Sequence, residues 1–205
     1  MEGRSRLRVS ILWIALLALT LLVLSPLTSS AHTETGAATG FLSGLQHPLS
    51  GWDHILAMIA VGLWGALLGA PAVWALPVAF PMAMAFGGMI GLMGLPLPGV
   101  EIGIAMSALL LGGMVSMEYS PSLWVAAVIA GFFALFHGHA HGTELPPGSH
   151  AMLYSIGFVL ATGTLHGCGI AMGLAHRWHS GRLAIRAAGI CVLVGGMFFL
   201  WRAFV

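Results

Sequence analysis

The stretch between Asp53 and Glu101 carries no Asp, Glu, Lys or Arg. Such a run cannot form the surface of a water-soluble domain, but it has room for two membrane crossings of about 20 residues each. The whole chain follows this pattern, since only 6% of its residues are charged, against about 25% in a typical soluble domain. The sequence therefore predicts an integral membrane protein in a lipid bilayer and excludes a water-soluble enzyme.

The sequence also excludes two classes of partner, nucleic acid and ATP. Acidic and basic residues nearly balance, at 6 and 7, and there is no lysine. A nucleic-acid-binding surface needs clustered Lys and Arg, so nucleic acid is excluded. No phosphate-binding loop of the form G-x-x-x-x-G-K-[ST] occurs, so we expect no ATP-driven motor.

The first 31 residues have the pattern of a secretory signal peptide. Three arginines precede an apolar run from Ile11 to Leu24, and small residues stand at Ser29 and Ala31. This run is shorter than the roughly 20 residues of a membrane span, so we predict cleavage after Ala31 rather than an uncleaved helix. Residues 32–205 then form a single transmembrane domain in a bacterial cytoplasmic (inner) membrane, with a periplasmic N-terminus.

Within this domain the apolar segments predict an all-α bundle of six transmembrane helices. The predicted spans are about 51–69, 74–95, 101–118, 123–141, 151–174 and 183–203. Helices are expected because every backbone group inside lipid must be hydrogen-bonded within the protein. An external N-terminus places the arginine-rich connection between the last two spans inside, as the positive-inside rule requires. Most acidic residues then face outward and would attract a cation.

Small and special residues add expectations about packing. Glycines four residues apart predict close helix contacts, and Pro77 and Pro81 should kink the second span. Cys168 and Cys191 are expected as buried free thiols. The glycine pairs are Gly65/Gly69, Gly87/Gly91, Gly163/Gly167 and Gly169/Gly173.

The first chemical motif precedes and begins the first span. It contains His47, Asp53 and His54, with the only aspartate of the chain. Two imidazoles and a carboxylate are a common ligand set for a divalent metal ion, provided that the imidazoles are neutral. Helix capping by Ser50 or Asp53 is the alternative, and it accounts for Ser50 but not for two histidines within eight residues.

The second motif closes the fourth span. His137, His141 and Glu144 recur at i, i+4 and i+7, which places them on one helical face. His139 points away from that face. A histidine-rich solvated loop is the alternative, but short His-rich tracts are typical of metal binding. By the predicted topology both motifs lie on the outer side, and their convergence predicts one metal site.

Two further ionisable residues lie near or within the membrane. Glu101 begins the third span, where it is either a carboxylate of the site or a first-turn acid that interacts with the helix dipole. His166 lies in the middle of the fifth span. It is either a second station on an ion pathway or a hydrogen-bonded contact between helices, and the sequence does not separate the two. The methionines are diffuse, which favours packing over a copper(I) path.

These motifs resemble those of the HupE/UreJ family of hydrogenase and urease accessory membrane proteins. The likeness rests on H-P-x-x-G-x-D-H from His47 to His54 and on F-H-G-x-A-H-G-x-E from Phe136 to Glu144. The resemblance implies a nickel or cobalt permease that supplies metallocentre assembly. It also implies a supporting role for Phe80 and metal roles for His47, Asp53, His54, Glu101, His141 and Glu144.

We therefore predict facilitated or secondary uptake of Ni²⁺ or Co²⁺ through a site on the periplasmic side. The alternative is an intramembrane zinc hydrolase that uses the same ligands, with Glu144 or Glu101 as general base. A metal sensor or membrane chaperone is a third class, for which no separate soluble domain is present. Homo-oligomerisation and delivery to a cytoplasmic metallochaperone are compatible with the permease and are left open by the sequence.

Overall fold

A computed structural model describes residues 37–145 and 150–205, and within these ranges the protein is entirely helical. The predicted signal peptide, residues 1–31, lies outside the described residues. The helices are α1 (Ala37–Ser50), α2 (Trp52–Leu68), α3 (Ala72–Leu92), α4 (Val100–Ser116), α5 (Leu123–Thr143), α6 (Ala151–Gly173) and α7 (His179–Arg202), with a 3-10 turn at Leu174–Arg177. The expected all-α class is confirmed.

Helices α2 to α7 coincide with the six predicted spans to within a few residues. Four of them, α3, α5, α6 and α7, are long and apolar enough to cross a membrane. A fifth crossing is obtained if α1 and α2 count as one bent span, and α4 is a shorter apolar helix of 17 residues. The structure thus supports a multi-pass membrane protein, whereas the count of six spans stays a prediction.

Helix α1 was not expected, and it changes the geometry of the first motif. Gly51 separates α1 from α2, and the two helix axes meet at 82°. Pro48 lies inside the last turn of α1 instead of beginning the next helix. The Ser50 hydroxyl donates to the His47 carbonyl (2.7 Å), so the expectation that Ser50 caps the first span is wrong.

Helix α2 forms the centre of the bundle. It packs against α3, α4, α6 and α7, and it is buried on most of its surface. Met58, Leu63 and Trp64 are fully buried along it. Trp64 donates from Nε1 to the Tyr119 carbonyl (2.9 Å), which fixes the C-terminal half of α2 to the end of α4. Burial on all sides explains why α2 has no polar face.

Glycines allow the closest helix pairs. A Cβ atom on Gly138 of α5 would overlap the Met84 carbonyl of α3. The same holds for Gly87 of α3 against the Leu135 carbonyl of α5 and for Gly169 of α6 against the Ile59 carbonyl of α2, so two of the predicted pairs, Gly87/Gly91 and Gly169/Gly173, lie at close helix contacts. Gly163 has no atom within 4 Å of such a Cβ, so the Gly163/Gly167 pair is not a packing contact within the described chain.

The outer surface of the bundle is strongly apolar. Cys168 and Cys191 are free but exposed on this surface, so the prediction of buried thiols is wrong. Met82 and Met89 are also exposed, whereas Met84 is buried, which agrees with packing roles and not with a methionine path. Other large exposed side chains are Trp74, Phe86, Trp124, Val128 and Phe132.

The two ends of the bundle differ in charge. At one end, hereafter the basic end, Arg186 donates to the Ser116 carbonyl (3.1 Å) and Arg182 lies 3.9 Å from Glu118. The opposite end, hereafter the acidic end, holds Asp53, Glu101 and Glu144, with Arg202 as its basic residue. This separation places both chemical motifs at the same end of the bundle.

Candidate metal site

Three potential ligands from α1 and the end of α5 meet at the acidic end. One ligand atom each from His47, His141 and Glu144 lies within 4.8 Å of the others, and this group is the mouth triad. His47 Nε2 lies 3.1 Å from Glu144 Oε2, and the Glu144 side chain is 56% exposed. The hydrogen bond with His47 holds the pKa of the Glu144 carboxyl below its ordinary value, so this carboxylate is charged at neutral pH.

Asp53 positions His54 directly beneath the mouth triad. His54 Nδ1 lies 2.8 Å from Asp53 Oδ1, which also accepts the His54 backbone N–H. An ionised carboxylate only accepts, so Nδ1 carries the proton and Nε2 is left with its lone pair. A Cβ atom on Gly51 would lie 2.7 Å from that Asp53 oxygen, which explains the glycine at the break. A carboxylate behind an imidazole is a common supporting arrangement at metal sites.

Ser107 of α4 fixes the tautomer of His137 in the same way. The Ser107 hydroxyl donates its only proton to the Ile104 carbonyl (2.6 Å), so at 2.8 Å it must accept a hydrogen bond from His137 Nε2. The Nδ1 lone pair of His137 is therefore available. Neither this atom nor His54 Nε2 makes a hydrogen bond to any residue in the described ranges.

Four imidazoles form a continuous line into the bundle, here called the imidazole ladder. His47 contacts His141 at 4.7 Å between ring centroids, His141 contacts His54 at 4.5 Å, and His54 contacts His137 at 4.7 Å. The His47 side chain is 23% exposed, whereas the other three rings are buried and His137 is fully buried. The structure thus brings residues of both motifs together, and that they bind one metal ion stays a prediction.

Glu101 lies away from the ladder. It lines a cavity of about 380 Å³ together with Asp53 and Arg202, hereafter the vestibule. Asp53 belongs to both places, since its carboxylate supports His54 while it lines this cavity. Glu101 therefore shares a cavity with Asp53 and does not belong to the mouth triad.

The remaining predicted residues have different surroundings. His139 points away from the ladder and donates from Nε2 to the Leu95 carbonyl (2.8 Å), which ties the loop after α3 to α5. Phe80 is fully buried, and its ring centroid lies 5.7 Å from that of His137 and 5.7 Å from that of His166. His166 is 1% exposed and continues the line of rings below Phe80.

Three residues near the ladder were missed from the sequence. Ser107 orients His137, and the aromatic rings of Phe158 and Tyr154 lie 4.4 Å from His141 and 5.9 Å from His47, respectively. A hydroxyl within an apolar helix was the available signal for Ser107. Phe158 and Tyr154 had no signal, because aromatic residues are common in membrane helices and at their ends.

Comparisons with known proteins agree with the resemblance of the motifs. The model of the family described as HupE / UreJ protein matches residues 19–199. Protein HupE of Rhizobium leguminosarum bv. viciae, a curated relative, is 47% identical over 171 residues, which cover 83% of this chain and 90% of the relative. No solved structure matches the chain.

Proposed function

The chain belongs to the HupE/UreJ family of hydrogenase and urease accessory proteins, and on this basis we propose that it is a membrane permease for Ni²⁺ or Co²⁺. The ion would be taken up for the maturation of hydrogenase or urease. This is a family of accessory and transport proteins and not of enzymes, so the alternative of an intramembrane zinc hydrolase is dropped.

The imidazole ladder is the observation that carries this proposal. It connects the half-exposed Glu144 to the fully buried His137 without a gap larger than 4.7 Å between successive ring centroids. A catalytic or storage site needs one set of ligands, whereas a line of ligands offers an ion successive positions. Transport requires such positions, each weak enough to release the ion to the next.

The ligand types favour a borderline divalent ion. Neutral imidazole and carboxylate groups suit Ni²⁺, Co²⁺ and Zn²⁺, whereas soft thiolates select other metals. Cys168 and Cys191 lie on the exposed outer surface of the bundle. The intrinsic order of affinity ranks nickel above cobalt, and the family relation to hydrogenase and urease leads us to propose nickel first.

Charge and membrane potential would both drive the ion inward. We propose that the acidic end faces the periplasm, where Glu101, Asp53 and Glu144 would attract a cation. A divalent ion gains about 4.6 kcal/mol per 100 mV on crossing toward the cytoplasm, twice the value for a single charge. No ATP-binding motif is needed for facilitated or secondary uptake of this kind.

Uptake of radioactive nickel into proteoliposomes tests the proposal. We expect Asp53→Asn and Glu144→Gln to lose most uptake, since one removes the support of His54 and the other removes a member of the mouth triad. Glu118→Gln is the matched control, because its carboxylate lies at the basic end near Arg182. Uptake that both site variants retain at the wild-type rate would refute the proposed site.

A further inference from the structure

A second group of unpaired polar side chains lies below Phe80. His166 and Thr162 are four residues apart on α6, and they are 1% and 0% exposed. By distance and angle, the two ring nitrogens of His166 and the Thr162 hydroxyl make no hydrogen bond to the described residues. A buried polar group without a partner is costly, so a pair of them on one helical face requires an explanation.

Thr162 is unusual when it is compared with its neighbour. The Thr164 hydroxyl, exposed on the same helix, donates to the Leu160 carbonyl (2.8 Å). A threonine within a helix commonly forms its hydrogen bond in this way, to the carbonyl four residues earlier. Thr162 does not make this bond. Its oxygen is therefore free to contact another group in the interior, on the same side of α6 as His166.

Helix α3 supplies a third polar atom on the opposite wall. Pro81 has no backbone N–H, so the carbonyl four residues earlier, that of Pro77, lacks its partner within the helix. This carbonyl lies near the His166 ring. The interior at this level thus holds an imidazole and a hydroxyl one helical turn apart on α6, with a carbonyl of α3 near the imidazole.

We propose that His166, Thr162 and the Pro77 carbonyl form a second binding station for the transported divalent ion. This inference rests on the proposed permease function and extends it inward past Phe80. The Phe80 ring separates the two stations, at 5.7 Å from both His137 and His166. An aromatic ring can attract a cation through its face, so a phenylalanine between the stations need not repel the ion.

A structural role for His166 predicts something different. A hydrogen bond from His166 to the Pro77 carbonyl would account for one ring nitrogen, but it would leave the other nitrogen and the Thr162 hydroxyl without a partner among the described residues. One imidazole with two neutral oxygens is also a weak ligand set, and it would bind less tightly than the ladder. Weak binding at the inner station favours release toward the basic end, as conduction through successive sites requires.

Transport kinetics give the first test. We expect Thr162→Val and His166→Gln to lower the saturating rate of nickel uptake by about tenfold or more. A loss of about tenfold is the smallest that is typical when a metal site loses a supporting group. The half-saturating external concentration should stay within about twofold, because the ladder that captures the ion is intact. Thr164→Val is the matched control and should leave both parameters unchanged. Unchanged kinetics in both site variants would overturn the inference.

Direct binding gives the second test and does not depend on transport. In a Cys168→Ser, Cys191→Ser background, His166→Cys places a thiol at the station, and Cd²⁺ should produce a thiolate-to-metal ultraviolet absorption band. Val192→Cys, at a buried position of α7, is the control and should produce none. Absence of the band from a folded His166→Cys protein, as judged by size-exclusion chromatography, would overturn the inference.

The two tests separate this inference from the proposed function. A wild-type protein that fails to take up nickel would refute the permease, yet the cadmium band would still identify a metal station at His166. Uptake by the wild type without a cadmium band would retain the permease and remove the inner station.

Discussion

The contact between Ser107 and His137 leads to a specific prediction about metal affinity. Ser107→Ala removes the hydroxyl that accepts from His137 Nε2 (2.8 Å), so the ring loses the bond that fixes its proton on that nitrogen. His137 can then rotate or place its proton on Nδ1, which removes a lone pair from the ladder. Loss of such a supporting group lowers metal affinity by about 10- to 100-fold, which corresponds to about 1.4–2.7 kcal/mol of binding free energy.

The same substitution also affects the fold, and the two effects must be separated. It leaves His137 Nε2 buried without a partner, which costs about 1–3 kcal/mol of unfolding free energy. Ser116→Ala is the matched control, since that hydroxyl makes an equivalent bond to the Gly113 carbonyl (2.8 Å) on the same helix, far from the ladder. We expect this control to keep its nickel affinity.

Isothermal titration of Ni²⁺ into purified protein in lipid nanodiscs measures the difference. The prediction holds if Ser107→Ala weakens binding by at least about tenfold while Ser116→Ala leaves it unchanged. Equal affinities for a well-folded Ser107→Ala protein and the wild type would refute the role given to the His137 tautomer. Parallel weakening in both variants would instead indicate a general effect of hydroxyl loss on α4.

Three further predictions concern pH, packing and the vestibule. Nickel uptake should decline on acidification, since protonated imidazoles cannot bind metal. The lowered pKa of Glu144 means that its contact with its histidine partner stabilises the protein above the ordinary carboxyl pKa and is lost only as the pH falls through the lowered value. Glu144→Gln should therefore reduce uptake but keep the decline on acidification, and a flat uptake profile would contradict imidazole ligation. Gly138→Ala should lower the unfolding temperature, because its Cβ would overlap the Met84 carbonyl and overpacking costs about 1–3 kcal/mol, whereas Gly163→Ala has free space and should be neutral or stabilising in the same thermal melt. Glu101→Gln should slow nickel capture at low ionic strength and have little effect at high salt, as measured by initial uptake rates.

The helices of the bundle could be predicted from the sequence because lipid leaves the backbone few alternatives. The uncharged run after Asp53 and the turn residues within it placed α2 and α3 correctly. Helix α1 was missed because its glycines and Pro48 are poor helix formers. Tertiary packing overrides this weakness, since Gly44 of α1 lets its backbone approach the Tyr154 carbonyl of α6 directly. Such close contacts have no signal along a single sequence.

The sequence indicated which residues lie close together at the acidic end, but not how they are arranged there. Alternating helix directions place the start of α2 and the end of α5 at one end of the bundle, so His54 and His141 were expected to meet. The separation of Glu101 into the vestibule depends on α7, which brings Arg202 beside it. The tautomer of His137 depends on a hydroxyl 30 residues away along the chain. Both are tertiary effects, and no spacing rule within one helix indicates them.

The even spacing of the ladder gives a physical reason why a bound ion would still move. Each ring in it lies 4.5–4.7 Å from the next, so an ion can engage a new nitrogen before it leaves the previous one. An unpaired buried nitrogen costs about 1–3 kcal/mol, and an ion that moves one ring inward satisfies one such atom while it exposes another. Successive positions are therefore close in free energy. On a path of this kind the membrane potential is sufficient to set the direction, and a site with one dominant set of ligands would instead retain the ion.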